Sequence, residues 1–153
     1  MRIAIGSDHA GFGLKALLVA HLTGDGHSVV DHGPVAAERC DYPDFAAMVG
    51  HDVAAERADF GVLVCGSGIG MSIAANKING VRAVCVGDVE HAVLSRQHNH
   101  ANVLCLGERF TAPARAIHIM DTWLNTAPDA GRHVGRVSKI MALEDDTTAQ
   151  SGT

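Results

Sequence analysis

Five short apolar runs, separated by stretches of helix length, constrain this chain more than any other feature. Arg2 to Gly6, His27 to Asp31, Gly61 to Cys65, Val81 to Val86 and Val103 to Gly107 read as strands rich in β-branched residues. Between the first two, Leu14, Leu17, Leu18, His21 and Leu22 recur at helical spacing until the glycines at 24 and 26 stop the pattern. Helices are expected over Pro43 to Arg57, over the small residues Gly70 to Lys77, from an Asp88 N-cap to about His98, from Pro113 through Trp123, and over Gly131 to Glu144. Strands joined by helix-length connections imply a mostly parallel sheet with helices on both faces. The expected fold class is α/β, a three-layer α/β/α sandwich. A chain of 153 residues with 47% hydrophobic content fits one such domain, expected over residues 1–144, with a disordered polar tail over 145–153.

The charge excludes some partners. Net charge is −5 and no block of lysine or arginine occurs, so neither nucleic acid nor a membrane surface is expected as a partner. No apolar stretch reaches the roughly 20 residues of a membrane span, and the N-terminus lacks a signal-peptide layout, so a cytoplasmic protein is expected. Cys40, Cys65, Cys85 and Cys105 form no CxxC pair and are expected as free thiols.

Polar clusters fall where open α/β sheets bind ligands, just beyond the carboxyl ends of strands. SDHAG follows the first strand, DYPD precedes the second helix, CGSGIG follows the third strand and ERF follows the fifth. The glycine loop fits no dinucleotide fingerprint, because position 71 is Met, and no Walker loop, because no lysine follows its last glycine. A hydrolase elbow on Ser67 would need glycine at 65 and 69, and a cysteine phosphatase loop would need arginine at 71. What remains is a turn whose backbone amides converge on an anion at a helix N-terminus, or a tight turn of purely structural use. Cys65 stands at a strand end against that helix start, a setting that favours thiolate; a buried core cysteine is the other reading, and it is the one adopted for Cys85 and Cys105 inside their strands.

Taken together, SDHAGF, ERCDYPDFA, CGSGIGMSIAANK, LSRQHNHANVLCLGERF and GRHVGRV closely resemble the type B ribose-5-phosphate isomerases of the ribose and galactose-6-phosphate isomerase family, over roughly residues 1 to 144. The resemblance implies a Rossmann-like five-stranded parallel sheet, no metal and no cofactor, and a homodimer or tetramer with active sites shared between subunits. It implies interconversion of D-ribose 5-phosphate and D-ribulose 5-phosphate in the pentose phosphate pathway, with Cys65 as the base that moves a proton between C1 and C2. One branch of the family replaces this cysteine by a later glutamate; the corresponding position here is Ser72.

By the same resemblance Gly66, Ser67, Gly68, Ile69 and Gly70 cradle the enediolate oxygens, Ser67 standing where threonine is common. His98 is the acid that opens the furanose ring, reaching a site formed largely by the other subunit. Asn99 and Asp8 contact sugar hydroxyls, His9 lies near the phosphate, and Tyr42 lies near the ring-opening site. Arg132 and Arg136, four apart on one helix face, form a phosphate clamp with Arg109, the last expected from the partner subunit. An arbitrary pair of arginines at that spacing is a solvated helix face, and an HxH at 98 and 100 alone is weak metal spacing. Another aldose phosphate, allose 6-phosphate or galactose 6-phosphate, is the alternative substrate, and a non-catalytic sugar-phosphate-binding module is the alternative function.

Overall fold

The computed structural model describes residues 1–150, with side-chain environments through residue 145. Strands β1 (Arg2–Ser7), β2 (Ser28–Asp31), β3 (Phe60–Cys65), β4 (Ala83–Cys85) and β5 (Val103–Gly107) pair in parallel throughout, in the order β2-β1-β3-β5-β4. The helices are α1 (Phe12–Gly24), α2 (Tyr42–Ala54), α3 (Ile69–Ala75), α4 (Val89–Asn99), α5 (Pro113–Asn125) and α6 (Arg132–Gln150).

Period-two alternation in the strands divides the core. Ile3, Ile5, Val62, Val64, Leu104 and Leu106 face one side, where Leu14, Leu18 and Leu22 of α1 and Ala116, Ile119, Met120 and Trp123 of α5 close over them. Ala4, Leu63, Val103 and Cys105 face the other side, under Ala46, Val49 and Val53 of α2 and Met71 and Ala75 of α3. The three-layer sandwich expected from the sequence is therefore present, and its five strands all run parallel.

Local chemistry sets the helix limits. Pro43 occupies the first turn of α2 and Pro113 that of α5, where a missing N–H costs nothing. Asp88 caps α4 by accepting from the His91 amide at 2.8 Å. The Trp123 ring is fully buried, lies edge-on to Phe60 at 5.3 Å, and donates from Nε1 to Ser95 Oγ at 3.1 Å. Burial of this size, worth about 3–5 kcal/mol on truncation to alanine, anchors α4 on α5 and so fixes where the end of α4 lies.

The structure corrects three expectations. β4 spans three residues and not Val81 to Val86, because it is an edge strand whose approach is bonded by side chains: Asn102 Oδ1 accepts from Arg82 N at 2.7 Å and Asn76 Oδ1 from Ala83 N at 2.7 Å. Cys85, expected in the core, is exposed as the last residue of that edge strand, whereas Cys105 in the central β5 is fully buried. The last helix does not stop at Glu144 but runs Arg132–Gln150, since no glycine or proline interrupts 145–150; the remainder of the expected tail, 151–153, lies outside the described residues.

Candidate active site

The order β2-β1-β3 means that the chain leaves β1 in one direction and returns on its other side at β3, so a crevice opens beyond the carboxyl ends of these two strands. A cavity of about 210 Å³ lies there. β1 delivers Asp8 and His9 to it, α2 delivers Tyr42, β3 delivers Cys65 with Gly66, Ser67 and Gly70, and the turn after β5 delivers Arg109.

Cys65 is 4% exposed, and its Sγ accepts the Gly68 N–H at 3.0 Å. Gly68 makes the turn possible: its φ is +80°, and a Cβ there would stand 2.9 Å from Cys85 Sγ and 3.0 Å from the Leu106 carbonyl carbon. Ser67 Oγ accepts from Ile69 N at 3.2 Å and so caps the first turn of α3, whose next amides have no carbonyl within the helix to bond. Ile69 is 57% exposed beside them. The Tyr42 ring packs on Gly70, where a Cβ would meet it at 2.7 Å.

After β1 a short 3₁₀ turn, His9–Gly11, is capped by Asp8, whose Oδ1 accepts from Ala10 N at 2.9 Å and Gly11 N at 3.1 Å. His9 Nδ1 lies 3.2 Å from the Cys40 carbonyl oxygen, leaving Nε2 without a partner among the described residues. Among the thiols, burial pushes Cys85 up, with the nearby Cys65 adding to it, and complete burial pushes Cys105 well up. Neither is placed to serve as a base at neutral pH.

Arg109 is the main correction. It was expected from a second subunit, yet it lines the same cavity as Cys65 of its own chain: its amide donates to Gly66 O at 3.1 Å and its guanidinium lies against Gly66. The cause is strand order. β5 lies beside β3 with Cys65 opposite Gly107, which brings the residue two beyond Gly107 back over the glycine loop. Its guanidinium has no carboxylate partner among the described residues.

His98, Asn99, Arg132 and Arg136 are not in this cavity. α4 starts beyond the carboxyl end of β4 and returns toward the amino end of β5, so eleven residues of helix, roughly 16 Å, carry His98 and Asn99 to the opposite end of the sheet, beside the amino ends of the strands. There His98 stacks on His133 at 4.1 Å between ring centroids, and His133 sits between Arg132 and Arg136 on α6. Asn99 lines a separate groove of about 610 Å³ with Arg82, Ile140 and Leu143. The chain thus carries two groups of candidate residues at opposite ends of its sheet.

Reading the sequence missed Glu108. Its Oε2 accepts from Leu14 N at 2.9 Å, tying the turn that carries Arg109 to the start of α1, directly after the turn that carries His9. Its position next to Arg109 in ERF is the signal that the sequence offers for it.

Parallel strands, a thiol inside a glycine turn and a guanidinium without a carboxylate partner among the described residues together define a class: an α/β protein with a polar crevice at its topological switch point. The chain belongs to the ribose/galactose isomerase family, whose model matches residues 3–140. Ribose-5-phosphate isomerase B of Escherichia coli is 48% identical over 143 residues, covering 94% of this chain and 96% of that protein. The solved ribose-5-phosphate isomerase B of Clostridium thermocellum superposes with a TM-score of 0.95 at 44% identity, over 96% of this chain and 99% of that one. The Mycoplasma genitalium enzyme, solved with bound ribulose 5-phosphate, superposes with a TM-score of 0.91 at 42% identity, over 94% and 96% of the two chains.

Proposed function

We propose that this protein is an aldose-ketose isomerase that interconverts D-ribose 5-phosphate and D-ribulose 5-phosphate, in one domain over residues 1–144. The observation that carries the reading is the meeting of the Cys65 thiol, the glycine turn and Arg109 in one cavity. Isomerisation needs a base for a carbon-bound proton, donors for the oxyanion that then forms, and a cation for the phosphate. The cavity holds a candidate for each.

The Cys65 thiolate takes the proton from C2 of the open-chain aldose, and the electron pair moves to form an enediolate across C1 and C2. Amides of the glycine turn and the Ser67 hydroxyl bind the enediolate oxygens more strongly than the neutral sugar, which lowers the barrier selectively. The same thiol returns the proton to C1, while a proton leaves O2 and one is gained at O1, giving the ketose. Tyr42, Asp8 and His9 surround the sugar, and Arg109 meets the phosphate through paired N–H donors.

Ring opening requires an acid at the furanose oxygen, and this role is assigned to His98. Since His98, Asn99, Arg132 and Arg136 lie at the other end of the sheet from Cys65, they serve the cavity of a second copy of the chain, and a two-fold homodimer forms two equivalent sites. No helix among the described residues is long and apolar enough to cross a membrane, which accords with a cytoplasmic enzyme of the pentose phosphate pathway. The test is Cys65→Ala. Isomerisation is expected to fall by about 10² to 10⁴, as for other acid-base groups, while phosphate-ligand affinity stays within several-fold. Retention of a tenth or more of the activity removes Cys65 as the base. Parallel assays on allose 6-phosphate and galactose 6-phosphate decide substrate rank.

A further inference from the structure

Two groups of side chains in the described structure bring three metal-ligating atoms within 4.8 Å of one another: His21, Asp25 and Asp121, and His98, Asp129 and His133. In the first group the ligating atoms are already engaged, because His21 Nε2 bonds Asp121 at 2.9 Å and Asp25 at 3.2 Å across the surfaces of α1 and α5. In the second they are not. Among the described residues the side chains of His98, Asp129 and His133 make no hydrogen bond or ion pair. The face of the His133 ring is covered by the stacked ring of His98.

The backbone holds the three in place independently of each other. His98 is in the last turn of α4 and His133 in the first turn of α6, while Asp129 is fixed between them by its amide, which donates to Gln97 O at 2.9 Å, and by its carbonyl, which bonds His100 Nε2 at 2.9 Å. His100, the other half of the HxH, is therefore turned to the backbone, and His133 takes the place beside His98 that spacing alone would have given to His100.

We infer that His98, Asp129 and His133 form a site for a zinc-class divalent cation, and that occupation of this site inhibits the isomerase. The inhibitory part rests on the role of His98 proposed above. Two imidazole nitrogens and one carboxylate oxygen are a borderline-soft donor set suited to zinc, cobalt or nickel and poor for magnesium or calcium. Donors around zinc stand about 3.3 Å apart at bond lengths near 2.0–2.1 Å, so donors within 4.8 Å are close to chelating distance, but the rings lie parallel at 4° and must turn out of their stack before their in-plane lone pairs meet at one ion. Arg132 and Arg136 oppose any cation that binds by charge alone, which further excludes magnesium and calcium. A metal on the ring nitrogen of His98 removes the proton donor for ring opening, so the inhibition is strongest on cyclic aldose phosphate.

The test is a titration of the whole protein with cobalt(II) under anaerobic conditions, read by visible absorption. Bands of a nitrogen- and oxygen-ligated ion are expected, with affinity weakened by at least about tenfold in Asp129→Asn and in His133→Gln, since even outer-shell changes cost that much. Magnesium in large excess is not expected to displace the ion. Absence of bands, or a sulfur-to-cobalt charge-transfer band that places the ion on a cysteine, overturns the site. If the variants do not fold, ring-nitrogen NMR shifts of wild-type histidines decide: zinc must move the resonances of two imidazoles together, and unchanged spectra refute the site. Zinc is then expected to inhibit turnover of ribose 5-phosphate reversibly to EDTA in the wild type and much less in Asp129→Asn; equal inhibition of both refutes the regulatory part. Cobalt binding to a protein with no isomerase activity before metal is added removes the functional reading and leaves the site, whereas full activity with no cobalt binding removes the site alone.

Discussion

Replacing Gly68 by alanine tests whether the shape of the glycine turn, and not merely its small residues, prepares Cys65. At φ +80° an L-residue costs about 1–2 kcal/mol. The added Cβ would also stand 2.9 Å from Cys85 Sγ and 3.0 Å from the carbonyl carbon of Leu106. A thiol at the end of an edge strand can rotate away, but the β5 backbone is paired to β3 and β4 and cannot. The turn must therefore move, and the Gly68 N–H leaves Cys65 Sγ. A hydrogen bond to a charged acceptor is worth about 1.5–3 kcal/mol, or roughly ten- to a hundredfold in kcat/KM at about 1.4 kcal/mol per tenfold. Stability falls by the conformational cost, which a domain of ordinary stability survives. Steady-state kinetics with a thermal melt on the same preparations gives both numbers. Adding Cys85→Ala relieves the sulfur contact alone, so the double variant is expected to recover only part of the loss. A Gly68→Ala protein with more than half of wild-type kcat/KM would refute the assignment of this amide to the thiol.

Three further outcomes follow from particular contacts. Glu108→Ala removes the acceptor for Leu14 N, so a stability loss of about 1 kcal/mol is expected, together with a raised KM because the Arg109 turn loosens. Glu108→Gln keeps an acceptor oxygen and is expected to retain most of both; equal damage from the two would point to the charge and not to the bond. Asp52 is held below the ordinary carboxylate value: burial alone would raise it, but Arg57 at 2.7 Å and His32 at 2.6 Å more than offset that. Its contribution to stability is thus full above the unfolded carboxyl value and is lost as pH falls through the lower folded one, so Asp52→Asn is expected to flatten the acid side of a denaturation profile below about pH 4. An unchanged slope there counts against the pairing. His98→Asn is expected to slow turnover of ribose 5-phosphate far more than that of ribulose 5-phosphate, which cannot close to a furanose through its phosphorylated O5; equal losses remove His98 from ring opening.

The centres of all five strands were legible because β-branched alternation reports burial on a pleated surface wherever a strand has neighbours on both sides. The same signal overextended β4 and placed Cys85 in the core, since nothing in RAVCVG states that its strand lies at an edge. The meeting of the loops after β1, β3 and β5 at one crevice was legible because parallel strands put their carboxyl ends together. Arg109 was assigned to the wrong chain for a topological reason: sequence order does not reveal that β5 sits beside β3, and only the register of Cys65 against Gly107 brings GERF over the glycine turn. The separation of His98 from Cys65 likewise depends on the return direction of α4. Asp129 and His133 were not legible as partners of His98, because two helices and the loop between them must first be packed.

The central claim is that one site is completed by two chains, with Cys65 and Arg109 from one copy and His98 from the other. Mixing inactive Cys65→Ala with inactive His98→Asn under conditions that exchange subunits tests it directly. With random exchange at equal amounts, half of the dimers are mixed and each carries one intact site of two, so about a quarter of wild-type specific activity is expected. Cys65→Ala mixed with Arg109→Ala is expected to recover nothing beyond its parents, because both groups belong to the same chain's cavity. Subunit exchange verified by mass, with no activity recovered in the first mixture, would contradict the account and confine proton transfer and ring opening to a single chain.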